Sequence, residues 1–199
     1  MARPRTFDEE QALDAAMRTF WRKGYEATST EDLCAATGLG RSSIYNAFKS
    51  KHALFQRVLH RYLTTMNAGQ LAVLEDPALS GADRIRALIA RVLDGDAENR
   101  PTGRSLGCLG VNTTVELGGR DAVAAGMLER DTARRLDSLR AAVEAGRRDG
   151  SITSTRDAGD LARFINATIA GLRVAAQGGA DRAALDAVAA VALDALTAA

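Results

Sequence analysis

The sequence predicts an all-α protein, and three observations carry that expectation. Ala, Leu and Arg are abundant while only three prolines occur in 199 residues, a composition that favours helix over sheet. Apolar residues recur at i, i+3, i+4 and i+7 along much of the chain. Capping residues and glycines bracket those stripes at helix-like intervals. The expected architecture is an N-terminal three-helix domain joined by a long helix to a C-terminal antiparallel helical bundle, about nine helices in all.

The first helix is signalled by Thr6 and Glu9, which read as a capping box, with Leu13, Ala16, Met17 and Phe20 as its stripe and Gly24 as its stop. Ser29 reads as the next cap, for a short helix through Leu33 to Thr37 that Gly38-Leu39-Gly40 breaks. A third short helix spans Arg41 to Phe48. Ser50 then caps a long helix whose stripe runs from Leu54 and Phe55 to Met66. Two short helices joined by a glycine turn behind a longer one make a helix-turn-helix.

Past Asp76-Pro77, Ile85, Leu88, Ile89, Val92 and Leu93 mark another amphipathic helix, and Asn99 to Gly103 a loop. Ser105 to Leu117 is nearly free of charge and predicts a buried helix. Asp121 to Arg148 reads as a long helix with Asp131/Arg135 and Glu144/Arg148 as i,i+4 pairs, stopped by Gly150. Two further helices are expected over 156–177 and 181–197, with faces rich in Ala, Gly and Val.

The net charge of +1 points to no particular partner, but its distribution does. Residues 1–62 hold ten basic and seven acidic side chains. Between Leu33 and Leu74 no acid occurs, while Arg41, Lys49, Lys51, Arg57 and Arg61 do. Such a basic island is expected where a polyanion docks. Cys34 and Cys108 form neither a disulfide framework nor a metal-ligand spacing, so no metal and no cofactor are expected. No apolar run is long enough for a membrane span, and the N-terminus lacks a signal-peptide apolar region; a soluble, cytoplasmic protein is expected.

In the third helix, Ile44 and Phe48 lie four apart and should lock into the bundle. Arg41, Ser42, Ser43, Tyr45 and Asn46 then face outward. Arginine suits guanine, asparagine suits adenine, and serines donate or accept. Tyr45, Lys49 and Lys51 suit phosphates, with Thr28 and Ser29 as further candidates at the preceding helix start. The segments Phe20-Trp21-Arg22-Lys23-Gly24-Tyr25, Ala36-Thr37-Gly38 and Tyr45-Asn46-Ala47-Phe48-Lys49-Ser50-Lys51 occur in order. Over roughly residues 6 to 62 this resembles the DNA-binding domain of the TetR family of regulators. Two positions depart from the family's pattern: Gly40, where Ser or Thr often caps, and Thr30, where an apolar residue is common.

The resemblance implies a C2 homodimer built on the last helices, a near-palindromic operator, and repression relieved by a small-molecule inducer held in each subunit's C-terminal bundle. On that basis the domains are 1–62 for DNA binding and 63–199 for ligand binding and dimerisation. Gly107 to Leu117 resembles the branch that includes sensors of electrophiles and small unsaturated acids. Candidate ligand contacts are Leu88, Val92, Cys108, Asn112, Thr113, Glu116, Phe164 and Thr168, although the apolar ones also suit plain core. Cys108, near a helix start, is a candidate electrophile sensor, against a buried inert thiol as the alternative; Cys34 reads as core.

Three other classes compete. An enzyme lacks a visible nucleophile–base pair, metal cluster or phosphate loop. A helical small-molecule-binding protein without DNA binding would not need Tyr45, Lys49 and Lys51. An activator of another helix-turn-helix class is separated from a repressor only by the resemblance.

Overall fold

The computed structural model describes residues 8–98 and 105–197. Among them are nine helices and no strand: α1 (Glu9–Lys23), α2 (Thr30–Thr37), α3 (Arg41–Phe48), α4 (Lys51–Leu74), α5 (Gly81–Glu98), α6 (Leu109–Leu117), α7 (Ala122–Asp149), α8 (Ala158–Gly178) and α9 (Arg182–Asp194).

Local chemistry sets most boundaries. Asp8, not Thr6, caps α1, its Oδ1 accepting from the backbone N–H groups of Glu10 and Gln11; Thr6 itself lies outside the described residues. Ser29 and Asp32 form a reciprocal capping box on α2. Gly38 adopts the left-handed conformation, φ 69°, that lets the chain turn sharply toward α3. Gly40 gives α3 no side-chain cap, as the sequence led one to expect.

Two expectations are corrected. The helix expected over 105–117 begins only at Leu109, because Gly107 takes φ 66° and Cys108 is extended at the N-cap. Glu144 pairs with Arg140 at 2.9 Å instead of Arg148, while Asp131–Arg135 forms as expected at 3.1 Å. The loop expected over 99–103 lies outside the described residues.

The helices pack around two apolar clusters. One joins α1, α2, α3 and the first half of α4 through Phe20, Leu33, Ile44, Phe48, Leu54 and Phe55. The other joins α5, α7, α8 and α9 through Ile85, Leu88, Leu139, Val143, Ile165 and Leu185. Helix α4 reaches both, since its last residue Leu74 belongs to the second. Helix α6 and the start of α7 add Leu109, Leu117, Ala124 and Leu128 to the first cluster, so the N-terminal core is closed by a lid from the far half of the chain.

Candidate nucleic-acid interface and internal cavity

Ile44 and Phe48, 1% and 2% exposed, anchor α3 in the N-terminal core. That anchorage turns Arg41, Ser42, Ser43, Tyr45 and Asn46 outward, and all five are exposed. The Tyr45 hydroxyl meets the Thr30 side chain and then Arg41; together they hold the phenol below its usual range. Thr30 thus has a polar partner that explains its departure from an apolar residue. Arg41 lies 5.8 Å from the Tyr45 ring centroid and 3.6 Å from Glu31, so it is pre-positioned at the start of the helix.

Lys49 is exposed just past α3 with φ 67°, a conformation side chains rarely adopt. The Lys51 ammonium sits 4.4 Å from the Tyr25 ring centroid and 3.5 Å from the Glu26 carbonyl oxygen. The rest of the expected basic island is already engaged. Arg57 binds Glu9, and Arg61 binds Glu10 and, at 2.9 Å, Asp14. These pairs clamp α4 to α1, which leaves Arg41, Lys49 and Lys51 as the cations of the outward face.

Thr28 is a correction. It is 1% exposed and its hydroxyl donates to the Gly24 carbonyl at 2.6 Å, so it holds the turn between α1 and α2 and presents nothing to a partner. Ser29 is exposed, but its hydroxyl is committed to Asp32.

Three contacts tie this unit to the rest of the chain. The Glu116 carboxylate accepts from the backbone N–H groups of Tyr25 and Glu26 at 2.9 and 2.8 Å. The Trp21 indole N–H donates to the Leu106 carbonyl at 3.1 Å. His52 Nε2 lies 2.6 Å from Asp121 Oδ2. Burial alone would raise the Asp121 carboxyl, but His52 and the Ala124 and Val123 amides pull it below its usual range. All three contacts reach across to α6 or its immediate flanks.

An internal cavity of about 250 Å³ opens between α4, α6, α7 and α8. Its apolar wall includes Leu63, Met66, Val111, Val115, Leu128 and Ile169. At one end Asp131 and Asn166 hold Arg135. At the other, the Tyr62 hydroxyl donates toward Cys108 Sγ at 3.4 Å, and the Arg173 guanidinium also hydrogen-bonds Cys108. Burial raises the Tyr62 phenol well above its ordinary value. Burial alone would lower Arg173, but Cys108, Tyr62 and Asp96 keep its guanidinium firmly protonated.

Of the eight candidate ligand contacts, only Cys108 reaches this cavity. Leu88 is fully buried core and Val92 is buried beside it. Asn112 donates its amide to the Leu106 carbonyl, and the Thr113 hydroxyl bonds back to Leu109. Glu116 is the bridge to α1. Phe164 and Thr168 face the other side of α8; Phe164 is 45% exposed, and the Thr168 hydroxyl bonds Phe164. That side continues through exposed Val174, Val188 and Val191 on α8 and α9. A stripe assigned by periodicity alone does not say which neighbour it faces. Sequence reasoning missed Tyr62, Asn166 and Arg173 as cavity residues. For Arg173 a signal existed: it directly follows Leu172 on the stripe Leu161, Ile165, Ile169, Leu172 and Ala176, a lone cation on an apolar seam.

Comparison with known proteins gives a consistent picture. Residues 12–58 match the model for bacterial regulatory proteins of the tetR family, and residues 81–192 match the tetracyclin repressor-like C-terminal domain. The HTH-type transcriptional repressor ComR of Escherichia coli is 33% identical over 181 residues, 89% of this chain and 83% of ComR. The uncharacterised HTH-type transcriptional regulator YezE of Bacillus subtilis is 31% identical, over 83% of this chain and 84% of YezE. Among solved structures, a cysteine mutant of the TetR family transcriptional regulator CifR, complexed with 26bp double-strand operator DNA, superposes with a TM-score of 0.83. It is 29% identical over 98% of this chain and 100% of that one.

Proposed function

The chain belongs to the TetR family of bacterial regulatory proteins, and from that premise we infer that it is a homodimeric repressor that grips operator DNA with α3 and releases it when a small molecule enters the internal cavity. The observation that carries the DNA reading is the division of α3. Ile44 and Phe48 are buried, which turns Arg41, Ser42, Ser43 and Asn46 outward for base edges, with Tyr45, Lys49 and Lys51 beside them for phosphates. The CifR complex with operator DNA supports the same use of the fold.

Residues 1–62 serve as the DNA-binding domain and 63–199 as the ligand-binding and dimerisation domain, with α6 packed across the division. The exposed apolar side of α8 and α9 supplies the dimer face, as the family's dimers imply. The role is regulatory, not catalytic, and a DNA target in a bacterium assigns it to the cytoplasm.

Coupling runs through α4, the lever that lines the cavity at Tyr62, Leu63 and Met66 and reaches both cores, and through α6. The cavity touches α6 at Gly110, Val111, Thr114 and Val115, while Glu116 on the same short rod holds the α1–α2 turn. A ligand that favours a displaced α6 pulls on that turn and moves the two α3 helices out of register with successive major grooves. Cys108 is the candidate covalent sensor in this arrangement, placed at the cavity wall under the Tyr62 hydroxyl.

The test is binding to labelled DNA from upstream of the protein's own gene, titrated against salt. Specific binding should weaken with a log–log slope of about −4 to −7, for roughly five to eight neutralised phosphates per dimer. Only weak, sequence-blind binding there and in a genome-wide site selection would refute the repressor reading.

A further inference from the structure

We propose that the cavity takes a small organic acid, its carboxylate seated between the Arg173 guanidinium and the first turn of α6 and its hydrocarbon body along the apolar wall. This rests on the reading of the cavity as the inducer site and adds the chemical class of the inducer.

Arg173 is the first support. It is 7% exposed, it lines the cavity, and its Nε has no hydrogen-bond partner among the described residues. A buried donor left unpaired is costly, and a guanidinium is shaped for the two oxygens of a carboxylate. The other cation in the wall, Arg135, is already satisfied by Asn166 at 2.7 Å and Asp131 at 3.1 Å. Asp96 acts on Arg173 from α5 without lining this cavity; Asp131, which does line it, also acts on Arg173 but is hydrogen-bonded by Arg135 at 3.1 Å.

The end of α6 is the second support. Its N-cap residue Cys108 makes no capping bond, and the Tyr62 hydroxyl takes only the first amide, that of Leu109, which leaves the amides of Gly110 and Val111 in that turn. The first backbone N–H groups of a helix attract anions when nothing else fills them. Gly110 in that first turn lines the cavity, and a Cβ at Gly110 would stand 3.6 Å from Cys108 Sγ, so backbone and thiol share one spot. Tyr62 adds a hydroxyl at the same place. Donors gather at this end, the Arg135, Asp131 and Asn166 set occupies the other, and the wall between them is mainly hydrocarbon. A cavity of about 250 Å³ with that polarity fits a short fatty or aromatic acid.

The test uses the full-length protein and titration calorimetry with butyrate, hexanoate and octanoate, each beside its amide and its alcohol. Three variants accompany the wild type: Arg173→Met, Arg173→Lys, and Val111→Trp, which fills the cavity. The acids are expected to bind about tenfold or more tighter than their amides, the worth of one hydrogen-bonded charge. Arg173→Met should abolish that preference and Arg173→Lys should keep part of it. Val111→Trp should remove binding of every probe. Equal affinity for acid and amide, or a preference that survives Arg173→Met, overturns the anion seat while the inducer cavity stands. Binding unchanged by Val111→Trp overturns both. No binding of any acid to the wild type overturns the proposal and leaves operator binding, measured separately, untouched. Should Arg173→Met fail to fold, the acid–amide ratio of the wild type and of Arg173→Lys decides.

Discussion

Glu116 Oε2 accepts the backbone N–H of Tyr25 at 2.9 Å, across 91 residues of sequence. Its other oxygen takes the next amide, from Glu26, at 2.8 Å. One carboxylate thereby satisfies two backbone donors of the turn that follows α1, and even a Cβ on Gly24 would approach that carboxylate to 3.0 Å. Removing the carboxylate leaves both amides to solvent and costs about 1–3 kcal/mol. Glu116→Ala is therefore expected to lower Tm and to bring the operator affinities measured with and without inducer closer together. A variant whose ratio of the two equals that of the wild type would show that Glu116 carries no coupling.

The outward cations divide by role. Lys51→Ala should weaken binding to all sequences alike and reduce the salt slope by roughly one unit per subunit. Arg41→Ala should cost about 1–3 kcal/mol on the preferred site and relax base preference there. Site selection on both variants separates the two; uniform weakening by Arg41→Ala would reassign it to phosphate.

Lys49 stores backbone strain at φ 67°. Glycine adopts such angles without a Cβ clash, so Lys49→Gly should stabilise the fold by about 1 kcal/mol while weakening DNA binding through the lost charge. Thermal melts and anisotropy titrations should move in opposite directions. A parallel fall in both would mean that the lysine side chain holds the fold.

Asp32 sets an acid limb. The Lys23 hydrogen bond, with the amide and hydroxyl of Ser29, pulls its carboxyl from 3.8 to about 2. A carboxyl depressed in the folded state stabilises above its unfolded value and loses that contribution as pH falls through the folded one. The loss therefore falls between about pH 4 and pH 2. Asp32→Asn should show a shallower decline of Tm across that window, and equal slopes would contradict the assignment.

The exposed apolar side of α8 and α9 should matter only to assembly. Val191 is exposed and does not line the cavity, so Val191→Arg should yield monomers by light scattering with the helical signal intact. Operator affinity should collapse with it, because two half-sites then bind independently. A stable dimer in the variant would move the interface elsewhere.

The helices were legible in the sequence because their signals are local. Ser29, Gly38, Ser50, Asp121 and Gly150 act on neighbouring backbone, and each stands where the structure uses it. The recognition face was legible for the same reason, since burying Ile44 and Phe48 leaves only one side of α3 outward. The cavity was not. Its polar end is assembled from Tyr62 on α4, Cys108 before α6 and Arg173 on α8, and no spacing within one segment encodes that meeting. Thr28 and Glu116 misled for the same reason: each looked free for a partner, but their partners are backbone groups brought by the turn after α1.

Trp21 is the sole tryptophan of the chain, and its indole N–H ends on the carbonyl of Leu106, just ahead of α6. Its ring also meets Tyr62, a cavity residue, edge-on at 5.0 Å between centroids. Indole emission responds to the loss of a hydrogen bond and to water reaching the ring. The molecule thus contains a single tryptophan emitter, separable from its three tyrosines by excitation at the red edge, at the junction of its two halves and one contact away from the cavity. Inducer screening, with no label and no DNA present, can be done by watching one emission band.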